Sequence, residues 1–140
     1  MAKKKLGLVY DYDFIMYGIS CYNRDYMLVH SINNKLDIDL KKLDDLVFFD
    51  QKNKESSEFT MFTFENKDNI HYIVVGNKST RTVLIPEMDK YDYFLVIKNT
   101  NKDFDAKSLL QELKTLKIIV LINEIDPSKL KSKQNLIIDL

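Results

Sequence analysis

The sequence predicts an α+β fold: a single mostly antiparallel sheet of about six or seven strands with two main helices packed on it. Three observations lead there. Short apolar and aromatic runs separated by turn residues crowd the middle of the chain, as in hairpins. Two longer stretches space their apolar residues by three and four, the helical period. Gly (3) and Pro (2) are scarce among the 140 residues, which leaves little material for long irregular segments.

The elements follow in order. Residues 6–12 and 14–20 are apolar and aromatic, and the second stretch reads as a buried first strand. Asn23 stands where an N-cap belongs, and the stripe Tyr26, Val29, Ile32 and Leu36 should face the sheet from the helix that follows. Residues 37–50 alternate at first, with Ile38 and Leu40 against Asp37, Asp39 and Lys41, and then run Leu46-Val47-Phe48-Phe49. That pattern suggests a strand, a short break and a strand. The polar residues 51–58 read as a long hairpin connection. Residues 59–75, with Asn66-Lys67-Asp68-Asn69 as turn, form the clearest hairpin, and residues 77–80 a loop. Residues 91–98 are apolar on both faces, as a central strand covered on both sides would be.

Asp103 or Asp105 caps a second helix that carries Ala106, Leu109, Leu110, Leu113 and Leu116 on one face. The unbroken apolar run 118–122 fits a buried strand and is too short for a helix. Residues 91–122 therefore read strand, helix, strand, with a right-handed crossover if the strands are parallel. Asp126 then caps a short turn with Pro127 at its first position, and residues 136–140 make a last strand. No linker, repeat or low-complexity tract divides the chain, so residues 1–140 are expected to form one domain, and a ferredoxin-like variant fits the order.

Composition excludes several function classes. Twenty-one Lys plus Arg balance 21 Asp plus Glu, which leaves no global field to draw the protein onto nucleic acid or an anionic membrane. The single cysteine, Cys21, has no intramolecular partner and points to a reducing, cytoplasmic setting. Lys3, Lys4 and Lys5 open like a signal peptide, but Asp11 and Asp13 cut the apolar run short of the ~7 to 15 residues that an h-region needs. No stretch approaches the ~20 apolar residues of a membrane-spanning helix.

The segment Ile85-Pro86-Glu87-Met88-Asp89-Lys90-Tyr91-Asp92-Tyr93 carries the spacing Ile-Pro-Glu, three residues, one residue, Asp-Tyr. It resembles the signature of the IPExxxVDY family, small proteins of the Bacteroidota, with Tyr91 standing where that signature has Val. The resemblance implies a layout that suits the rest of the chain, down to the tail Leu130-Lys131-Ser132-Lys133-Gln134-Asn135-Leu136-Ile137, and supplies no catalytic residue. Physically, Pro86 should end a ladder after Ile85, and Glu87 is placed to accept hydrogen bonds from amides of the turn that re-enters at Tyr91. Asp92 and Tyr93 should point to opposite faces of the next strand, and the hydroxyl of Tyr91 needs water or a partner. The competing reading makes Pro86, Glu87, Asp92 and Tyr93 an interaction site built around an exposed Glu87.

Chemistry has few other footholds. Asp11 and Asp13 after an apolar strand resemble the opening of haloacid-dehalogenase-type phosphatases, but Phe14 and Ile15 replace the small residues that loop needs, so a solvated turn is expected. Cys21, His30 and His71 stand at unrelated spacings, which predicts no metal site and makes Cys21 a small core residue. Isolated Gly7, Gly18 and Gly76 provide no phosphate loop, and no cofactor is expected. Lys114, Lys117, Lys129, Lys131 and Lys133 form a mildly basic C-terminal quarter, read as solvated surface, with salt-sensitive RNA contact a weaker reading. The aromatics Tyr10, Tyr12, Tyr17, Tyr22, Tyr26, Phe59, Phe62 and Phe64 lack the basic companions of a stacking platform and are assigned to the core.

The expected function is that of a small, non-enzymatic cytoplasmic protein-interaction module, working through a sheet edge or an aromatic surface on an unknown protein partner or as a homodimer. Neither membrane nor nucleic acid is an expected partner. The alternative is a small-ligand binder or enzyme with a pocket between sheet and helices, where Asp11, Asp13, Glu87, His71 or Cys21 would have to converge.

Overall fold

A computed structural model describes residues 14–50, 54–79 and 82–136. Its elements are β1 (Ile15–Ser20), α1 (Asp25–Leu36), β2 (Lys41–Asp50), β3 (Glu55–Glu65), β4 (His71–Gly76), β5 (Tyr93–Lys98), α2 (Ala106–Lys114) and β6 (Leu121–Ile125). The six strands form one sheet in the order β2-β3-β4-β5-β1-β6, and every neighbouring pair is antiparallel. The predicted α+β fold, one antiparallel sheet with two helices, is what the chain adopts.

Strands β5 and β6, joined through α2, run parallel to each other but do not touch, because β1 lies between them. The connection from β1 through α1 to β2 also joins parallel strands, here with β5, β4 and β3 in between. This is the split strand-helix-strand arrangement of ferredoxin-like folds, widened by two further strands in the central meander.

Strand alternation divides the core in two. On one face Tyr17, Ile19, Phe62, Tyr72, Val74, Leu95, Ile97 and Ile122 meet Leu28, Val29 and Ile32 of α1 and Leu109 and Leu113 of α2. On the other, Met16, Phe59, Met61, Ile73, Val75, Phe94, Val96 and Ile125 lie beneath Leu84, Ile85 and Tyr91 of one loop and Leu130 and Leu136 of the C-terminal segment. Strand β5 is thus covered on both faces, as its sequence predicts. The second layer of cover is loop, not helix.

Several expectations hold locally. Asn66 closes the β3–β4 turn by accepting from the amides of Asp68 and Ile70 at 2.9 and 3.0 Å. Asp105, one of the two proposed caps, accepts from the amide of Ser108 at 3.0 Å at the start of α2. Asp126 caps a 3-10 turn, Pro127–Lys129, with Pro127 in its first position.

Others need correction. The cap position of α1 is Arg24, with no side-chain hydrogen bond, and not Asn23. Its buried stripe includes Leu28, whereas Tyr26 is exposed. Residues 41–50 form one strand, because a bulge between Leu43 and Leu46 absorbs Asp44 and Asp45 without breaking the pairing with β3. The β2–β3 pairing continues to Asp50 opposite Glu55, so residues 55–58, assigned to the connection, are strand. Strand β6 begins at Leu121 and not at Ile118, because a turn closed by Ile119 onto Leu116 precedes it, and as an edge it leaves Leu121 exposed. Leu136 closes a 3-10 turn, Lys133–Leu136, in place of opening a strand. The predicted apolar segment at residues 6–12, Asp11, Asp13 and residues 137–140 lie outside the described residues. Among those described, no helix is long and apolar enough to cross a membrane.

Candidate functional site

Residues 85–93 sit across the loop-covered face of the sheet. Ile85 and its neighbour Leu84 are fully buried plugs, and Pro86 opens a 3-10 turn, Pro86–Met88, where its missing amide costs nothing. What shapes this turn is Asn77, just past the end of β4 and wholly buried. Its side-chain oxygen accepts from the Ile85 amide at 2.8 Å, and its side-chain nitrogen donates to the carbonyls of Met88 and Tyr91 at 3.0 and 2.8 Å. Its main chain adds bonds to Leu84 and Asp92. One amide side chain thereby bonds three backbone groups of a buried turn, of which the Met88 carbonyl also accepts from the Tyr91 amide at 3.2 Å. The sequence suggests only a loop at this point.

Tyr91 lies flat on Gly18 of β1. A Cβ at Gly18 would meet the ring carbons of Tyr91 at 2.6 Å, so the absence of a side chain at residue 18 makes room for the ring. The hydroxyl that distinguishes Tyr91 from the Val of the signature accepts from the side-chain nitrogen of Asn123 on β6 at 2.8 Å.

Glu87 turns away from its own turn and reaches the C-terminal segment, where Ser132 donates its amide at 2.7 Å and its hydroxyl at 2.9 Å. The expectation that Glu87 serves the amides leading to Tyr91 is therefore corrected. Asn77 serves that turn, and Glu87 latches it to a segment 45 residues away. Desolvation pushes the Glu87 carboxyl upward, but the Ser132 bonds outweigh it and hold the group below the ordinary 4.5. A depressed carboxyl contributes stability that is complete above its unfolded value and lost as pH falls through the folded one. Acidification from neutral pH is thus expected to shift the Ser132 amide resonance in step with Glu87 titration, and Glu87→Gln to flatten that response. A Ser132 resonance indifferent to both would show that the latch does not form.

The other two residues of the proposed interaction set are also engaged internally. The Asp92 carboxylate accepts from the Cys21 amide at 2.9 Å and pairs with the Lys78 amine at 3.0 Å. Tyr93 joins the helix-side cluster and donates its hydroxyl to the Asn23 carbonyl at 3.0 Å. Burial pushes the Tyr93 phenol up to about 12, with the negative charge of Asp25, Cys21 and Asp92 acting in the same direction. Of Pro86, Glu87, Asp92 and Tyr93, Pro86 lines a groove beside the β2–β3 hairpin, and Asp92 and Tyr93 line a separate hollow of about 430 Å³ beside Cys21.

Among the described residues, Glu87, His71 and Cys21, named for a ligand or catalytic site, lie apart. Cys21 is buried at the end of the sheet where β1 finishes, and burial first and then the Asp92 charge raise its thiol. His71 opens β4, whose other end, Gly76, lies level with Tyr93 beside the end of β1. Seven residues along the strands and two strand spacings across the sheet put the two roughly 25 Å apart. Burial lowers the His71 imidazole, which sits between Glu65 and Lys98 as a cross-strand partner. His30 is exposed and bonds Asn34 one turn along α1. No cluster of potential metal ligands exists among the described residues. Lys114, Lys117, Lys129 and Lys131 are exposed, while Tyr17, Phe59 and Phe62 are core and Tyr22 and Tyr26 are surface.

At Pro86 the signature borders a groove of about 530 Å³ between the β2–β3 hairpin and the turn. Phe48, Phe59, Val83 and Pro86 line it together with the polar residues Glu55, Ser57, Thr82 and Asn135. Phe48 packs edge-on to Phe59 at 5.9 Å between centroids. The groove opens onto β2, the terminal strand of the sheet. Val47 and Phe49 alternate outward there, 54% and 59% exposed, on the helix side but beyond the helices. The apolar run 46–49 is a signal in the sequence for this surface. That it forms an edge is not, since strand order is a tertiary property. Compared with protein-family models, curated proteins and solved structures, the chain matches none of them.

Proposed function

We infer that the chain is a non-enzymatic protein-interaction module of the IPExxxVDY kind, which takes an extended segment of a protein partner alongside β2. The observation that carries this reading is the ten-residue edge of β2, which has β3 on one side and no described strand on the other, next to a groove lined by both aromatic and polar side chains. Strand addition uses free main-chain groups for affinity and pockets for alternate side chains for selectivity, and β2 offers both. Natural edges are blunted by charges and bulges. Here Lys41, Lys42 and the bulge at Asp44 and Asp45 guard one half, whereas residues 46–49 carry neither device. Residues 85–93 then serve as scaffold: they cover one sheet face and set Pro86 in the lining of the groove. The buried, unpaired Cys21 supports a reducing, cytoplasmic setting.

The small-ligand alternative asks for a pocket between sheet and helices. The cleft between Leu36, Tyr72 and Leu109 holds about 210 Å³, under the ~300 Å³ at which ligand pockets begin, and the larger hollow of about 430 Å³ at the end of β1, lined by Cys21, Asp92 and Tyr93, receives neither Glu87 nor His71. Selection from a library of extended peptides, with amide exchange to locate the binders, tests the edge reading. Selected peptides are expected to protect amides of β2, and the double substitution Val47→Lys, Phe49→Lys to weaken them at least about tenfold. Both side chains are more than half exposed, so the variant should fold. Binders that protect amides elsewhere, or that ignore the substitution, would overturn the reading.

A further inference from the structure

We propose that the segment received by β2 is β2 of a second copy of the same chain, giving a two-fold dimer whose sheet runs continuously through twelve strands. The inference rests on the edge reading above and names its occupant. The bulge absorbs one of the ten residues of β2, so full-length antiparallel self-pairing places its centre at Leu46. In that register Leu46 meets Leu46, Leu43 meets Phe48, Lys42 meets Phe49, and Lys41 meets Asp50 of the second copy. The match sets the apolar half of one β2 against the charged half of the other, where Lys41 and Lys42 serve as partners in place of guards and the bulge residues Asp44 and Asp45 stand out opposite Val47. Leu43 is 40% exposed and gains an aromatic neighbour. The Lys42 amine is held by Asp45 at 2.7 Å and lies 5.7 Å from the Phe62 ring, and its stem shares the face onto which exposed Phe49 of the second copy would fall. Lys41, loosely paired with Asp39 at 3.5 Å while both stay largely in solvent, acquires an opposite charge.

The strand is polar in charge, basic at one end and acidic at the other, and antiparallel duplication is the operation that matches such ends. The bulges fall opposite Val47, leaving two blocks of three paired residues about the central leucines. Balanced charge over the whole chain, 21 against 21, removes net repulsion between copies. The two-fold axis stands perpendicular to the sheet, so all four helices share one face, and the contact is isologous and closes on itself. Pairing β2 with the other edge, β6, would instead be heterologous and would propagate into a filament.

A charge exchange tests the register directly. Sedimentation across a concentration series is expected to show the wild-type chain reaching the mass of two. Lys41→Glu sets two acidic residues against each other at both ends of the interface, and Asp50→Lys sets two lysines there. Each variant alone is expected to dimerise at least about tenfold more weakly, and an equimolar mixture of the two to recover dimer, because every pair is then of opposite charge. Both positions are at the ends of an edge strand, and a native-like circular dichroism spectrum with a cooperative melt confirms that each variant folds. A wild type that stays monomeric, or a dimer that neither variant weakens, overturns self-pairing. If library peptides still bind β2 in that case, the edge reading survives with another protein as partner. If nothing binds β2, both fall.

Discussion

Asn77→Ala is expected to destabilise the fold by about 3 to 5 kcal/mol, because it orphans buried backbone groups that cost about 1 to 3 kcal/mol apiece and are not strictly additive. The Ile85 amide and the Met88 and Tyr91 carbonyls lose their side-chain partner at once, in a place where Asn77 itself is fully buried. Asn77→Asp should be worse still. It keeps the acceptor for Ile85 but turns a carboxylate oxygen toward two carbonyl oxygens inside the core. Urea denaturation of the two variants checks the order. A loss below about 1 kcal/mol for Asn77→Ala would mean that water replaces the side chain and that the turn is looser than its bonds imply. Loosening this turn withdraws Leu84 and Ile85 from the sheet and moves Pro86, which lines the groove, so loss of peptide binding should accompany loss of stability.

Gly18→Ala is the second large effect. A methyl group 2.6 Å from the Tyr91 ring and 2.8 Å from the Ile125 side chain has nowhere to go in the middle of β1. Overpacking of this kind costs about 3 kcal/mol. The informative experiment is the cycle with Tyr91→Val, which introduces the residue of the IPExxxVDY signature. Alone, Tyr91→Val removes a buried ring and leaves Asn123 to solvent, at about 2 kcal/mol. Combined with Gly18→Ala, it clears the space the methyl group needs, so the pair should be more stable than the sum of the singles by at least about 1 kcal/mol. Strict additivity in denaturation would show that the ring and Gly18 do not share this space.

Both effects rest on contacts that sequence reasoning did not reach, and the reason is physical. The hairpin at residues 59–75, the Asp105 cap and the Asp126-Pro127 turn were legible because their determinants lie within a few residues. The two-sided cover of β5 was legible from its composition, although not what covers it. Asn77 reads as a loop residue until Ile85, Met88 and Tyr91 fold back around it. Glu87 is exposed, as the interaction reading has it, but its two bonds to Ser132 could not be read because Ser132 is remote in sequence. Counting Tyr26 as apolar drew the α1 stripe one position off and hid Leu28, since an aromatic residue fits either the period or the surface. The run at 118–122 satisfied the length of a strand, but pairing with β1 sets its start, and Val120 bonds Ser20 only as the strand is entered. The candidate site was half visible: the apolar run at 46–49 is in the sequence, and the strand order that leaves it at an edge is not.

The position of β1 has a consequence for how the protein is made. Ile15 pairs with Ile97 and Met16 with Ile125, so the first described strand is held by the last two. During synthesis the β2–β4 meander can close early from contacts between sequence neighbours, while Met16, Tyr17 and Ile19 wait without a seat until β5 and β6 have left the ribosome. Commitment therefore comes late, on the milliseconds-to-seconds scale of sheets built from distant segments. Throughout that interval the edge of β2 is already formed, so the self-pairing proposed above would be open to nascent chains before β1 is seated.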